Sequence, residues 1–316
     1  MKKADTLWTV DGSFQFTRQT CGALLRLSFY RAKTKQNTVR KFFATTGEAS
    51  ISADTTIILS DPKLQDIYQE FTKRYQPTAT IKSNLGQLYF AQHEITREEK
   101  AALNKLTEAA SDLQFAGVKR FVKENKDNLV GGYVLANYLY NLPDIEQTDS
   151  LYRLFSPQLI QTSYPLHEFR KELDIKMSLL PGHVPPELSG IDIRGKAFTV
   201  ASLKGKYVLL DFWGSWCLPC LSGLPKMKAA YEKYKDRIAF VSIACHDKEI
   251  KWRAMVTKQN MTWTQLLDDK KDRIARQYYV ETFPTKILIG PDGKVIQVFK
   301  GEGNDFYDQL DKVLQK

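Results

Sequence analysis

The chain has 316 residues, 43 % of them apolar, and a formal charge of +10 from 46 Lys and Arg against 36 Asp and Glu. That length suits two domains, and the apolar content is enough to bury real cores, which excludes a largely disordered chain. The basic residues are scattered beside acidic ones, as in Lys123-Glu124 and Asp269-Lys270-Lys271-Asp272, with no Arg-rich arm or basic stripe carrying aromatics. The charge therefore reads as a mixed solvated surface, and no nucleic-acid partner is expected.

No run of about 18 apolar residues occurs, so no membrane-spanning helix is expected. The opening Met1-Lys2-Lys3 has the charge of a secretory leader, but no apolar stretch follows it. A cytoplasmic protein and an exported one whose targeting segment is missing from this chain both fit. Four cysteines, Cys21, Cys217, Cys220 and Cys245, are too few for a disulfide-built scaffold.

The first sixty residues read as antiparallel β. Ser13 to Thr17 alternates after an Asp11-Gly12 turn, Leu25, Leu27 and Phe29 alternate with polar or larger residues, and Ile51 to Leu59 is β-branched. From Asp61-Pro62, a good helix start, the period changes: Leu64, Ile67, Tyr68, Phe71 and Tyr75 follow at helical spacing. Thr96 and Glu99 form a capping box with Leu103, Leu106 and Leu113 behind it. Further helices are expected over 116–125, 130–141, 148–155 and 165–178. Their aromatics, Tyr133, Tyr138, Tyr140, Tyr152 and Phe155, read as packing between helices and not as a ligand box.

Pro181-Gly182 and Pro185-Pro186 form the clearest break, so a linker is expected at 179–187, between an N-terminal domain over 1–178 (β-rich 1–60, helical 61–178) and a C-terminal domain over 188–316. The C-terminal domain reads strand, helix, strand, helix. Strands are expected at 206–212, 238–244 and 262–267, helices to about Lys235, at 247–260 and at 270–279. Thr285 to Ile289 and Lys294 to Phe299 pair through a Pro291-Asp292-Gly293 turn before a last helix from about Asn304. The fold class is α/β with a mixed central sheet and helices on both faces, preceded by an α+β domain of antiparallel strands and then helices.

Trp216-Cys217-Leu218-Pro219-Cys220 lies where a buried strand ends and a helix begins. Two thiols at that spacing can close a disulfide with little backbone motion. The first sits at the helix N-terminus, where unpaired N–H groups and the positive dipole end favour the reactive thiolate. Cys217 is the expected nucleophile, and Cys220 resolves the mixed disulfide. Half of a zinc site is the competing reading, but tetrahedral zinc wants a second Cys or His pair, and Cys245-His246 is the only other cluster. A structural disulfide is a third reading.

The stretch Gly205 to Cys220, "GKYVLLDFWGSWCLPC", resembles the core of the thioredoxin superfamily, and more closely the TlpA/ResA-like thiol–disulfide oxidoreductases. Further matches follow in the right order. Pro225 corresponds to the proline that kinks the active-site helix, Phe283-Pro284-Thr285 to the cis-proline loop, and "DIRGKAFTVASLKGKYVLLDFW" to the opening hairpin and first core strand. The resemblance covers about 181–316. More distantly, the N-terminal part, with "SPQLIQTSY" before the redox domain, is similar to TlpA-like proteins of Bacteroidetes that carry a β-rich and helical region there.

The resemblance implies a protein-disulfide reductase of exported proteins, periplasmic or in the cell envelope, with no cofactor and no metal. Its partners would be proteins carrying disulfides or thiols and an upstream membrane electron donor. Catalytic roles fall on Cys217, Cys220, Asp211 and Pro284, and substrate contact on Trp216, Phe283 and Trp213. Asp211 takes the place of the buried carboxylate of thioredoxins, with a raised pKa, and accepts the Cys220 proton. Pro284 is expected to be cis, exposing the backbone of Phe283 to pair with a substrate peptide. ResA-type members carry a Glu three residues after the second Cys; this chain has Gly223, which leaves Asp211 as the acid–base candidate. Leu218-Pro219 offers no imidazole or cation, unlike the His of DsbA-type oxidants, so a reductant is expected. Cys245 and Cys21 read as plain buried thiols. Two alternatives stand beside this reading: a peroxiredoxin-like thiol peroxidase, whose Thr three residues before the reactive Cys is Gly214 here, and a non-enzymatic partner-binding protein that keeps the fold.

Overall fold

The computed structural model describes residues 23–31, 36–44, 49–51, 57–59, 62–89, 95–139, 144–268, 273–303 and 305–314. The chain divides into two compact units, Met1–Arg170 and Lys171–Lys316.

In the first unit, β1 (Ala23–Arg31) pairs antiparallel with β2 (Gln36–Ala44), and β3 (Ala49–Ile51) with β4 (Ile57–Leu59). The alternating run around Leu27 is thus a strand; the strand expected over 13–17 and Cys21 lie outside the described residues. The helices are α1 (Lys63–Tyr89), α2 (Arg97–Glu124), α3 (Leu129–Tyr138), α4 (Ile145–Tyr152), α5 (Pro157–Thr162) and α6 (Tyr164–Ser178), the last running on into the second unit.

The capping box forms: Glu99 N–H donates to Thr96 Oγ1 at 3.2 Å and Thr96 N–H to Glu99 Oε2 at 2.8 Å. Two helices are longer than their apolar spacing suggested. Helix α2 swallows the separate 116–125 segment, and α1 continues through Pro77, where an interior proline ordinarily costs about 3 kcal/mol. Contacts on both sides of the proline offset that cost. Phe71 packs on Phe121 at 4.8 Å before it, and Lys82 Nζ donates to Gln114 Oε1 at 2.9 Å after it. The tyrosines are core material. Tyr138 meets Phe71 and Tyr75 edge-on, each at 4.8 Å, and Tyr152 and Phe155 are buried; Tyr140 is outside the described residues. Burial drives the Tyr133 hydroxyl's pKa up to about 12.

The second unit opens with the hairpin β5 (Ser189–Ile191) and β6 (Ala197–Thr199), then a short 3₁₀ turn over Val200–Leu203. There follow β7 (Tyr207–Trp213), α7 (Leu218–Tyr234), β8 (Ile238–Cys245), α8 (Glu249–Lys258), β9 (Thr264–Asp268) and α9 (Arg273–Gln277). The unit ends with β10 (Thr285–Ile289), β11 (Val295–Lys300) and α10 (Asp305–Leu314). Five strands form one sheet in the order β11-β10-β7-β8-β9, with β7, β8 and β9 parallel and the β10–β11 hairpin antiparallel to them. The expected linker stretch is tied into this unit. Gly182 N–H donates to Val295 O and Val295 N–H to His183 O, both at 2.8 Å, and the Tyr278 hydroxyl donates to Pro186 O.

Strand alternation divides β7 between two cores. Val208, Leu210 and Phe212 face Ile274, Ala275 and Tyr278 around α9. Leu209 and Trp213 face the opposite side, with Leu224 and Met227 of α7, Trp252 of α8, and Phe306 and Leu310 of α10. Every residue of β7 after Tyr207 is buried, which a central strand covered on both faces requires. Replacing Leu210, 0 % exposed, by Ala should lower stability by about 2–5 kcal/mol, whereas Ile250→Ala, at an 84 % exposed position, should change it by less than about 0.5 kcal/mol. Urea unfolding followed by tryptophan emission measures both, because four of the five tryptophans lie in this unit.

Candidate active site

The chain leaves β7 at Trp213, turns through Gly214-Ser215-Trp216, and enters α7 with Cys217 as its N-cap. The loop after β8 holds that turn. Asp247 accepts from Ser215 N–H at 2.6 Å and from the Ser215 hydroxyl at 2.9 Å, and Trp216 Nε1–H donates to Cys245 O at 3.0 Å. The Trp216 indole lies across Gly214, where a β-carbon would come within 2.5 Å of Nε1. A threonine at 214, as a peroxidatic site would have, cannot be accommodated without displacing that ring.

Cys217 and Cys220 are joined as a disulfide, S–S 2.05 Å. Cys220 N–H donates to Cys217 Sγ at 3.3 Å, so one of the helix's unpaired N-terminal donors points at that sulfur. Both cysteines are nearly buried, but Trp216 is 49 % and Leu218 77 % exposed, giving the pair an apolar rim. Phe283 completes it, edge-on to Trp216 at 5.4 Å and to His246 at 5.5 Å, and the Phe283–Pro284 bond is cis.

Behind Cys220 lies a cavity of about 10 Å³, the room a single water needs, lined by Asp211, Lys286, Glu302 and Tyr307 among others. The sheet register builds it: Ser242 on β8, Asp211 on β7 and Lys286 on β10 stand opposite one another in one row. Asp211 Oδ2 accepts from the Ser242 hydroxyl at 2.9 Å, and Ser242 Oγ accepts from Trp263 Nε1–H at 2.8 Å. Lys286 Nζ donates to Glu302 Oε2 at 2.7 Å, and the Tyr307 hydroxyl to Glu302 Oε1 at 3.3 Å. Burial pushes the Asp211 carboxyl above its ordinary range. The Lys286 ammonium and the Ser242 hydroxyl oppose that shift, and the Glu302 charge adds to it. Burial likewise raises the Tyr307 hydroxyl, assisted by the charges of Glu302 and Asp211. A base of raised proton affinity beside a resolving thiol can hold that thiol's proton.

With this geometry in place, comparison with known proteins places the chain. A family model described as thioredoxin-like matches residues 205–295. The thiol-disulfide oxidoreductase ResA of Bacillus thuringiensis subsp. konkukian is 35 % identical over 136 residues, 43 % of this chain and 77 % of that protein. The chain belongs to the ResA-like thiol–disulfide oxidoreductases of the thioredoxin superfamily. ResA of Bacillus subtilis is 32 % identical over 127 residues, 40 % of this chain and 70 % of that protein. The solved thioredoxin domain of a thiol-disulfide oxidoreductase from Bacteroides vulgatus is 31 % identical and covers 43 % of this chain and 99 % of its own, with a TM-score of 0.39.

Within this ResA-like site the structure brings Cys217, Cys220, Asp211, Pro284, Trp216 and Phe283 to one end of the sheet. Trp213 departs from its expected role in substrate contact. At 1 % exposure it is core, because strand alternation turns it to the same side as Leu209, under α7. Cys245 is fully buried with Phe212 and Ile243, on the face away from Cys217, as a packing thiol would be. Three residues went unread in the sequence: Asp247, Lys286 and Glu302. A signal existed for Lys286, a cation directly before the apolar run Ile287 to Ile289 after the cis-proline loop, where 2 % exposure demands a partner.

The raised Asp211 carboxyl carries a stability consequence. Between the ordinary carboxylate range and its own, the folded protein keeps a proton that the unfolded chain has released, so stability falls as pH rises through that window. Asp211→Asn removes the penalty. The variant should gain stability at pH 8 relative to pH 4, read from urea midpoints at the two pH values.

Proposed function

We propose that this thiol–disulfide oxidoreductase reduces disulfides of exported proteins, in the periplasm or cell envelope, with Cys217 as nucleophile, Cys220 as resolving thiol and Asp211 as the base for Cys220. The observation that carries the reading is the redox pair at the N-terminus of α7, with a helix N–H on Cys217 Sγ and an exposed apolar rim of Trp216 and Leu218 around it.

In the reduced protein the Cys217 thiolate attacks one sulfur of a substrate disulfide. The other substrate sulfur leaves as a thiolate and takes a proton from water. Cys220 then gives its proton to Asp211 and attacks Cys217 Sγ. The Cys217–substrate bond breaks, the second substrate sulfur departs with the electron pair, and the Cys217–Cys220 disulfide forms. Two electrons and two protons from an upstream dithiol, supplied by a membrane donor, restore the pair. The absence of a His or cation between the cysteines supports a reductant, since nothing at 218 or 219 adds further stabilisation to the thiolate. The peroxidase alternative loses support from the crowding at Gly214.

Cys217→Ser should cut insulin-disulfide reduction by roughly a hundredfold or more. Cys220→Ser should accumulate substrates as mixed disulfides through Cys217, identified by mass spectrometry after non-reducing capture from an envelope fraction. No captured species, together with no insulin reduction by the unmodified protein, would overturn the enzymatic reading and favour a partner-binding role.

A further inference from the structure

Glu302 follows β11 and stands against Gly223, one turn beyond Cys220 on α7. A β-carbon built on Gly223 would lie 2.3 Å from Glu302 Cδ and 2.5 Å from each carboxylate oxygen. Gly223 is therefore a notch in the face of α7, and the Glu302 carboxylate fills it. No other side chain fits at 223 while Glu302 stays in place.

The carboxylate is held there by Lys286 Nζ at 2.7 Å and the Tyr307 hydroxyl at 3.3 Å, and its side chain is 17 % exposed against 3 % for Lys286. The groups facing it come from four elements: Asp211 on β7, Cys220 and Gly223 on α7, Lys286 on β10 and Tyr307 on α10. Two carboxyl groups and one ammonium thus line one small cavity. The Glu302 charge adds to the negative potential at Asp211 and favours the protonated form of the Asp211 carboxyl. Lys286 could pair with either carboxyl. In the structure its hydrogen bond goes to Glu302, while Asp211 takes the neutral Ser242 hydroxyl instead.

We infer that Glu302 is a positioning residue for the resolving step: by engaging Lys286 Nζ and placing its own charge in the cavity, it keeps Asp211 able to take the Cys220 proton. The inference rests on the oxidoreductase reading above. When Cys220 resolves, its S–H proton passes to Asp211, the Cys217–Cys220 bond forms and the Cys217–substrate bond breaks, with the electron pair leaving on the substrate sulfur. Without the Glu302 charge, Lys286 is left to Asp211 alone and weakens it as a base. The two charges act on Asp211 in that sense, Lys286 lowering its proton affinity and Glu302 raising it.

The test uses the reduced full chain and Ellman's reagent. The first thionitrobenzoate released reports attack by Cys217, and the second reports resolution by Cys220. In Glu302→Gln, which keeps the size of the side chain and an acceptor for Lys286, the second release should shift its acid midpoint down by about one pH unit and lose roughly tenfold in plateau rate. The first release should stay near the native rate. Glu302→Ala should show the same defect, and adding Gly223→Glu to it should return the midpoint toward native by re-supplying a carboxylate from α7. An unchanged midpoint and plateau in Glu302→Gln would overturn the inference, as would a loss of thermal stability without any shift of the midpoint, which is what a merely structural role gives. A native protein that shows no second release and no insulin reduction would instead sink the redox reading itself.

Discussion

A buried carboxylate sits near the C-terminal end of the central strand, and its neighbours on both sides make it tolerable. An isolated ionised carboxylate in such a place is prohibitively costly, so it is neutralised, hydrogen-bonded or paired. Asp211 has access to all three: a raised proton affinity, a Ser242 hydroxyl on one neighbouring strand and a Lys286 ammonium opposite it on the other. Strand pairing puts these three residues in one row, and strand alternation turns Asp211 to the side of the sheet that α7 covers. The same alternation makes Trp213 core. The row is thus a consequence of register, and register is set by the apolar residues on either side of it.

The working end is built by a different device. Between the strand and the helix the chain makes a turn closed by Cys217 N–H donating to Gly214 O, and Asp247 and the Cys245 carbonyl hold that turn from the next loop. The result places a helix N-terminus, with its unpaired donors, beneath a sulfur atom. The apolar rim of Trp216, Leu218 and Phe283 lies on the solvent side, and the Asp211, Lys286 and Glu302 cluster on the sheet side. On the proposed reading, substrate contact and proton transfer approach the pair from opposite directions.

The legible parts of this protein were the local ones. The strand–Trp-Cys-Leu-Pro-Cys–helix junction, the proline loop at 283–285 and the closing hairpin each carry their signal within a short window, and α2 announces itself by its capping box. What stayed hidden depends on segments distant in sequence. Nothing near Gly223 says that Glu302 fills its missing side chain, and nothing near Pro77 says that contacts with α2 carry α1 past it. Trp213 lies between these cases. Its neighbourhood marked it as part of the motif, while its direction follows from a period of two counted from Leu209.

The cysteines are three residues apart, within a single turn at the head of α7. A crosslink between distant segments would restrict an unfolded chain severely, by about 4.7 kcal/mol for a loop of some 100 residues, whereas a loop this short is worth only about 2 kcal/mol. It also fastens no second element of the fold to the first. The strands of the sheet are paired by their own backbone hydrogen bonds, with no part taken by it. Electrons can therefore enter and leave the pair cycle after cycle while the scaffold stays assembled, so the bond serves as an electron store and not as a brace.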